Sequence, residues 1–363
     1  MVEIIIGAIA LGLLWGIFAL GVHLTYRILD IADLTVEGTF TTGGAITAIM
    51  LVNGVSPWLA ILAAIGGGLV TGLITGLLHT KLKIPALLSG ILTMTALYSI
   101  NLRIMGKSNI PLPSVGSKSV DTVFTPALEL IKNLVGEYDK DAPNAAFLDV
   151  ITSKGFSALI IGILFVVVVS VIMYWFFGTE LGNAIRSTGN NPKMARAQGI
   201  NTSFMIIICL MLSNGLVALS GSLIAQYQTY SDIQMGIGSI VIGLASLIIG
   251  EVIVGTRSFK RNLIAIAVGS VIYRIIIALV MKLGMEANDL KLFTAVTVTI
   301  CLSLPLFKGF FKKKLGKKNK MLAAVPNAAF DGNAPGSPGL DDNDDLDETK
   351  EPVKTGEFGE KED

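Results

Sequence analysis

Nine apolar stretches constrain this chain more than any other feature, each about the 20 residues that a helix needs to cross a bilayer. They fall at roughly 4–26, 34–53, 57–78, 84–105, 156–177, 204–228, 237–255, 262–282 and 291–308. In lipid every backbone polar group must be satisfied within the segment, so such runs fold as helices. The expected class is all-α, a polytopic membrane helical bundle of about 8–10 spans with one or two broken helices. Composition agrees. The chain is 52% hydrophobic and 15% charged, with 39 glycines, where a soluble domain carries about 25% charged residues. The first run has no basic n-region and no convincing small-residue cleavage site, so it reads as a retained span. Glu37, Thr39, Thr41, Thr42, Gly43 and Gly44 crowd the first half of the second run. That run is expected to be a broken or re-entrant helix facing protein or a watery path.

Between the fifth and sixth runs lies a polar island, Thr179 to Thr202. Its punctuation is legible. Thr179 can cap a short helix whose first residue, Glu180, suits the positive end of the helix dipole. Gly189 is expected to stop that helix at the position just past its end. Asn191 then caps a new start, with Pro192 at the first helical position, where its missing N–H costs nothing. This second helix should run to about Gln198 and end at Gly199, and Asn201, Thr202 and Ser203 offer caps for the run beyond. With Arg186, Lys193 and Arg196, the island should lie across the cytoplasmic surface, either as a working element or as an ordinary basic loop.

Lys and Arg set the orientation. If the island is inside, 16 of them fall in inner loops and 7 in outer segments. That excess places the N-terminus outside and the C-terminus in the cytoplasm. The external segment 107–155 carries Pro111, Pro113, Pro126 and Pro143. Within it, Leu128, Ile131 and Val135 recur at helical spacing, with Leu134 adding to that face, so 126–138 should be a short amphipathic helix. It reads equally as a docking surface for an external protein and as a cap over the outer mouth. The body (1–310) leads through a basic juxtamembrane segment (311–320), whose lysines should attract anionic membrane lipid. The tail (321–363) is acidic, with net charge −9 against +10 for residues 1–320. It has too few apolar residues to offset its ordering entropy and is expected to be disordered.

The island resembles the cytoplasmic loop of ABC-importer permeases of the branched-chain amino acid, sugar and nucleoside group. Gly182, Ala184, Arg186, Gly189, Asn191, Pro192, Ala195 and the run Gly199, Ile200, Asn201 carry the resemblance. It extends over about residues 1–310 and includes the Gly-rich run from Gly236 to Gly255. The stretch from Leu34 to Phe40 is similar to a subfamily that moves amino acids, often aromatic ones. The resemblance implies that the island holds a coupling helix seated in a groove of an ATPase subunit. Glu180, Gly182, Arg186, Gly189, Asn191, Pro192, Ala195, Gly199 and Asn201 would carry the coupling. It further implies a homodimer in a bacterial plasma membrane, cytoplasmic ATPase subunits holding the ATP and Mg, and an external solute-binding lipoprotein. Nucleic acid is not an expected partner. An amino acid is the first expected cargo, then a sugar or nucleoside.

No enzyme constellation is visible, and no G-x-x-x-x-G-K-[ST] run would hold ATP in this chain. His23 and His79 stand at no metal-ligand spacing, and Cys209 and Cys301 read as packing residues in apolar runs. Ionisable groups within spans are functional candidates, because a charge in lipid is costly. Glu37, Arg103, Glu251 and Arg274 are those groups. Arg103 lies near an outer end, where it can snorkel. Glu251 is a gate or coupling-face candidate close to Arg257. Arg274 can pair with a carboxylate or a helix-end carbonyl. Glu37, Thr39, Asn214, Gln226 and Arg274 are the candidates for the translocation path, each equally open to a structural role. Gly236, Gly238, Gly243, Gly250 and Gly255 suggest packing against a neighbouring helix or a second subunit. Two rival readings stand beside the importer. One is an ion-coupled secondary transporter using Glu37, Glu251 and Arg274. The other is a membrane scaffold whose tail is the working part.

Overall fold

The computed structural model describes residues 2–113, 120–135, 145–255 and 258–282, with residues 292, 295, 296 and 299 beyond them. Most of the expected ninth span, the basic segment and the acidic tail lie outside the described residues, as does Arg257.

The helices that the apolar runs form are α1 (Val2–His23), α2 (Thr35–Val52), α3 (Pro57–Thr80) and α4 (Ala86–Met105), then α7 (Lys154–Phe176), α10 (Thr202–Gln228), α11 (Ser239–Val254) and α12 (Phe259–Lys282). Six of these are long and apolar enough to cross a membrane. The other two are α2, whose polar residues dilute it, and α11, which has 16 residues. Shorter elements join them: strand β1 (Asn109–Pro111), α5 (Phe124–Val135), α6 (Ala145–Ile151), α8 (Glu180–Asn190), α9 (Pro192–Ala197) and strand β2 (Tyr230–Asp232).

The second run is not broken. α2 is continuous over 18 residues and mostly buried. Its crowding threonines are absorbed locally, since Thr41 and Thr42 donate to the carbonyls of Glu37 and Gly38 one turn back, at 3.4 and 2.9 Å. The irregular backbone lies just before it. α1 ends in a π-helical turn, Leu24–Ile28. Such a turn leaves carbonyls off the regular ladder, and Cys209 directs its thiol at that of Leu24, at 3.5 Å.

α1 and α10 form the axis of the bundle. α10 packs against α2 and α3, while α1 packs against α7, α10, α11 and α12. Two serines fasten the pair to each other. Ser213 donates to the carbonyl of Gly21 and Ser220 to that of Leu14, both at 2.8 Å. Beside them Trp15, Phe18 and Phe40 cluster with centroids 5.0–5.5 Å apart. The glycines of α11 face helices of the same chain. Gly243 abuts the Phe18 ring, and Gly250 abuts the backbone of Ala265 in α12.

At one end of the bundle β1 and β2 pair antiparallel, with Ile110 opposite Ser231. This clasp ties the end of α4 to the end of α10. Gln226 at the same end accepts the backbone N–H of Val123 at 2.9 Å, anchoring the start of α5. α5 forms the expected amphipathic helix, two residues earlier than the spacing suggests, with Phe124 and Ile131 buried. Leu134 does not join that face; it is 78% exposed, and Leu130 one turn earlier is 61% exposed.

Candidate functional site

The island sits at the opposite end, and its chemistry follows its sequence closely. Thr179 adopts an extended backbone and its hydroxyl accepts from the N–H of Gly182, capping α8. Asn191 does the same for α9, accepting from Met194 at 3.1 Å, with Pro192 at the first helical position. Asn201 caps α10 through Phe204 at 3.2 Å. Gly199 ends α9 with φ of +81°, a left-handed conformation that favours glycine.

Gly189 departs from expectation. α8 continues through it to Asn190, so it does not stop the helix. It is needed for contact instead, because a Cβ there would collide with the Ile28 carbonyl in the π turn. Gly182 fills a matching role at the other end of α8, against the backbone of Phe176 and Phe177. Arg186 completes the clamp. Its guanidinium stacks over Phe259 of α12 at 4.3 Å and over Phe177 at 5.2 Å. Burial against those rings lowers its pKa from the ordinary arginine value. A partly desolvated cation–π contact contributes about 1–2 kcal/mol. α8 is therefore fixed to α1, α7 and α12 together. α9 is different: all its residues are exposed except Ala195. It is a projecting knob on a clamped arm, and Glu180 starts that arm.

Glu251 sits at the same end. Its partner is Arg27 in the π turn, 3.1 Å away as an ion pair out of hydrogen-bond alignment. Arg27 is half exposed, so the pair stabilises by less than about 1 kcal/mol. It nonetheless links α11 to the turn that Gly189 touches.

The path candidates separate. Thr39 and Asn214 meet in a buried polar seam. Thr39 donates to the Asn214 carbonyl oxygen at 2.7 Å and faces Thr71 at 2.9 Å. The Asn214 amide donates to Asp33 at 2.9 Å and to the Leu210 carbonyl at 3.0 Å. The other Asp33 oxygen accepts the Thr35 N–H at 2.9 Å, and Thr35, Thr75 and Thr93 continue the chain at 2.8 and 3.0 Å. The seam staples α2, α3, α4 and α10, and every member is buried. Burial pushes the Asp33 carboxyl up, against the opposing pull of its donors Thr35 and Asn214. Asp33 is the residue that sequence reasoning misses. Its signal is the Asp33-Leu34-Thr35 spacing, a carboxylate placed to accept the N–H two residues on.

The remaining candidates stand elsewhere. Gln226 belongs to the anchor of α5. Among the described residues Arg274 finds neither a carboxylate nor a helix-end carbonyl, and its guanidinium lies over the Trp15 ring at 4.5 Å. Arg103 is exposed in the last turn of α4. Glu37 accepts the N–H of Gly238 at 3.0 Å, at the N-terminus of α11. Among the described residues Glu37, Glu251 and Arg274 thus hold three separate partners and form no relay. His23 faces Asn262 at 3.4 Å and His79 faces the Ile84 carbonyl at 2.8 Å.

A helical bundle built to span a membrane, with a capped arm clamped across one end, defines a multi-span membrane protein. The family described as the permease component of the branched-chain amino acid transport system matches residues 4–302. The chain belongs to that family, and it is a transmembrane subunit of the ATP-binding cassette importer class, which places it in the plasma membrane. It is 43% identical over 295 residues to a tyrosine transport system permease protein of Clostridioides difficile (strain R20291), covering 81% of this chain and 88% of that one. It is 30% identical to the uncharacterized protein RP368 of Rickettsia prowazekii (strain Madrid E), covering 83% and 97%. A fructose import permease protein, FruF, of Bifidobacterium longum (strain NCC 2705) is 24% identical over 74% of this chain and 68% of its own.

Proposed function

We propose that two copies of this chain form the translocation unit of an amino acid importer, with the N-terminus outside and the C-terminus in the cytoplasm. Cytoplasmic ATPase subunits, which hold the ATP and Mg, seat α9 in a groove. An external solute-binding lipoprotein delivers the cargo at the end that carries α5 and the β1–β2 clasp. Exposed Leu130 and Leu134 on α5 suit that docking. The cargo is an amino acid, an aromatic one first. Identity of 43% with a tyrosine permease, against 24% with a fructose permease, favours that class over a sugar.

The observation that carries this reading is α9, a helix exposed on nearly all sides at the tip of an arm that grips three spans. When the ATPase subunits close, the knob moves with them. Arg186 passes the motion to α12 and α7, and Gly189 passes it to the π turn of α1. Tilting of those spans switches the open side. Thr39 and Asn214 act as helix staples in this scheme, and Arg274 as a packing cation. Deletion of residues 189–199 is expected to abolish co-purification of the ATPase while the chain still inserts in the membrane. An ATPase that co-purifies undiminished contradicts the coupling role.

A further inference from the structure

Beside Glu37 lies a pocket of about 240 Å³ between α2, α4 and the turn before α11. Its polar lining comes from Glu37, Thr41, Thr95, Tyr98 and Asn101, flanked by Met94. Three of these already direct donors elsewhere. Thr41 and Thr95 donate to backbone carbonyls of their own helices at 3.4 and 2.8 Å. The Asn101 amide donates to the carbonyl of Gly38 at 3.2 Å. Apart from the second Asn101 N–H, their remaining capacity is that of acceptors. Asn101 is 1% exposed, and its carbonyl oxygen is buried with no hydrogen-bond partner. Glu37 adds a half-buried carboxylate. Among the described residues no cation forms an ion pair with it.

An orphaned buried oxygen costs about 1–3 kcal/mol, and a carboxylate within a span that holds the Gly238 N–H but no counter-charge is still costly. Both costs are relieved by one kind of guest: a small solute that brings several N–H donors and a positive charge. We infer that this pocket is a waypoint for the ammonium group of the transported solute, with Glu37 taking the charge and Asn101 accepting a second N–H. The Tyr98 ring and Met94 flank the site, where an aromatic face suits a cation. The volume is below the range of drug-sized ligand sites, so it suits the head of a small solute. The inference rests on the amino acid reading above and adds the group that is recognised inside the membrane.

The test uses the full importer, chain with ATPase and binding protein, in proteoliposomes supplied with L-tyrosine. Glu37→Gln keeps an oxygen for the Gly238 N–H and removes the charge. The number of tyrosines moved per ATP hydrolysed is expected to fall on the order of tenfold to a hundredfold, as loss of a charged hydrogen bond implies. A carboxylate that merely caps α11 would lower uptake and hydrolysis together and leave that ratio unchanged, which overturns the inference. A wild-type importer that moves no amino acid overturns the cargo reading and the inference with it. A second variant does not depend on Glu37. Thr95→Cys, in a chain with Cys209 and Cys301 replaced by Ser, should react on the order of tenfold faster with a cationic methanethiosulfonate than with an anionic one. L-tyrosine should slow that reaction. Equal rates, or no protection, overturn the inference.

Discussion

Asn214→Leu is expected to destabilise the chain more than any other single change outside the arm, by about 3 kcal/mol or more. Leu keeps the branched shape of Asn and is the larger side chain, so no cavity forms. What is lost is pairing. The second Asp33 oxygen, the Thr39 hydroxyl and the Leu210 carbonyl are each left with a partner missing, in a place where water does not reach. Asp33 dominates, because an unpaired carboxylate in a buried site is far more costly than an unpaired hydroxyl. Ser222→Ala is the comparison. It removes one hydroxyl from a single contact with Thr47, and should cost about 1 kcal/mol. Thermal unfolding of the purified variants in detergent reads the difference. If both variants melt together, the seam is not the staple described above.

Gly189→Val is expected to uncouple the importer rather than unfold it. The added Cβ meets the Ile28 carbonyl, so α8 must lift away from the π turn. α9 lies beyond that contact and keeps its own cap on Asn191, so the ATPase should still bind. Uptake should fall on the order of tenfold to a hundredfold, the usual size of a coupling free energy between distant sites. Comparing ATPase co-purification with uptake checks this. Uptake at the wild-type level would show that the contact carries no motion.

How much of this was legible in the sequence depends on the range of each interaction. The caps at Thr179, Asn191 and Asn201 act over three residues, so residue type and spacing reveal them. The spans declare themselves by length. Gly189 was misread because a glycine near a helix end has two uses, left-handed backbone or close approach, and only the position of Ile28 decides between them. α2 was misread for a related reason. Its polar residues look like a break until Thr41 and Thr42 turn back on their own helix and α3 and α10 supply partners for Thr35 and Thr39. Asp33 was overlooked because its essential partner is 181 residues away. Arg27 as the partner of Glu251 was out of reach for the same reason, since only the fold brings it from the end of α1.

The central claim is that the α9 knob faces the cytoplasm and is covered by the ATPase. Lys193 sits exposed at its start. Lys193→Cys, again without Cys209 and Cys301, can be challenged with a membrane-impermeant maleimide in intact cells and in inside-out vesicles. The account predicts labelling in the vesicles alone, and loss of that labelling when the ATPase is bound. Labelling from outside intact cells would contradict the orientation, the knob and the coupling mechanism at once.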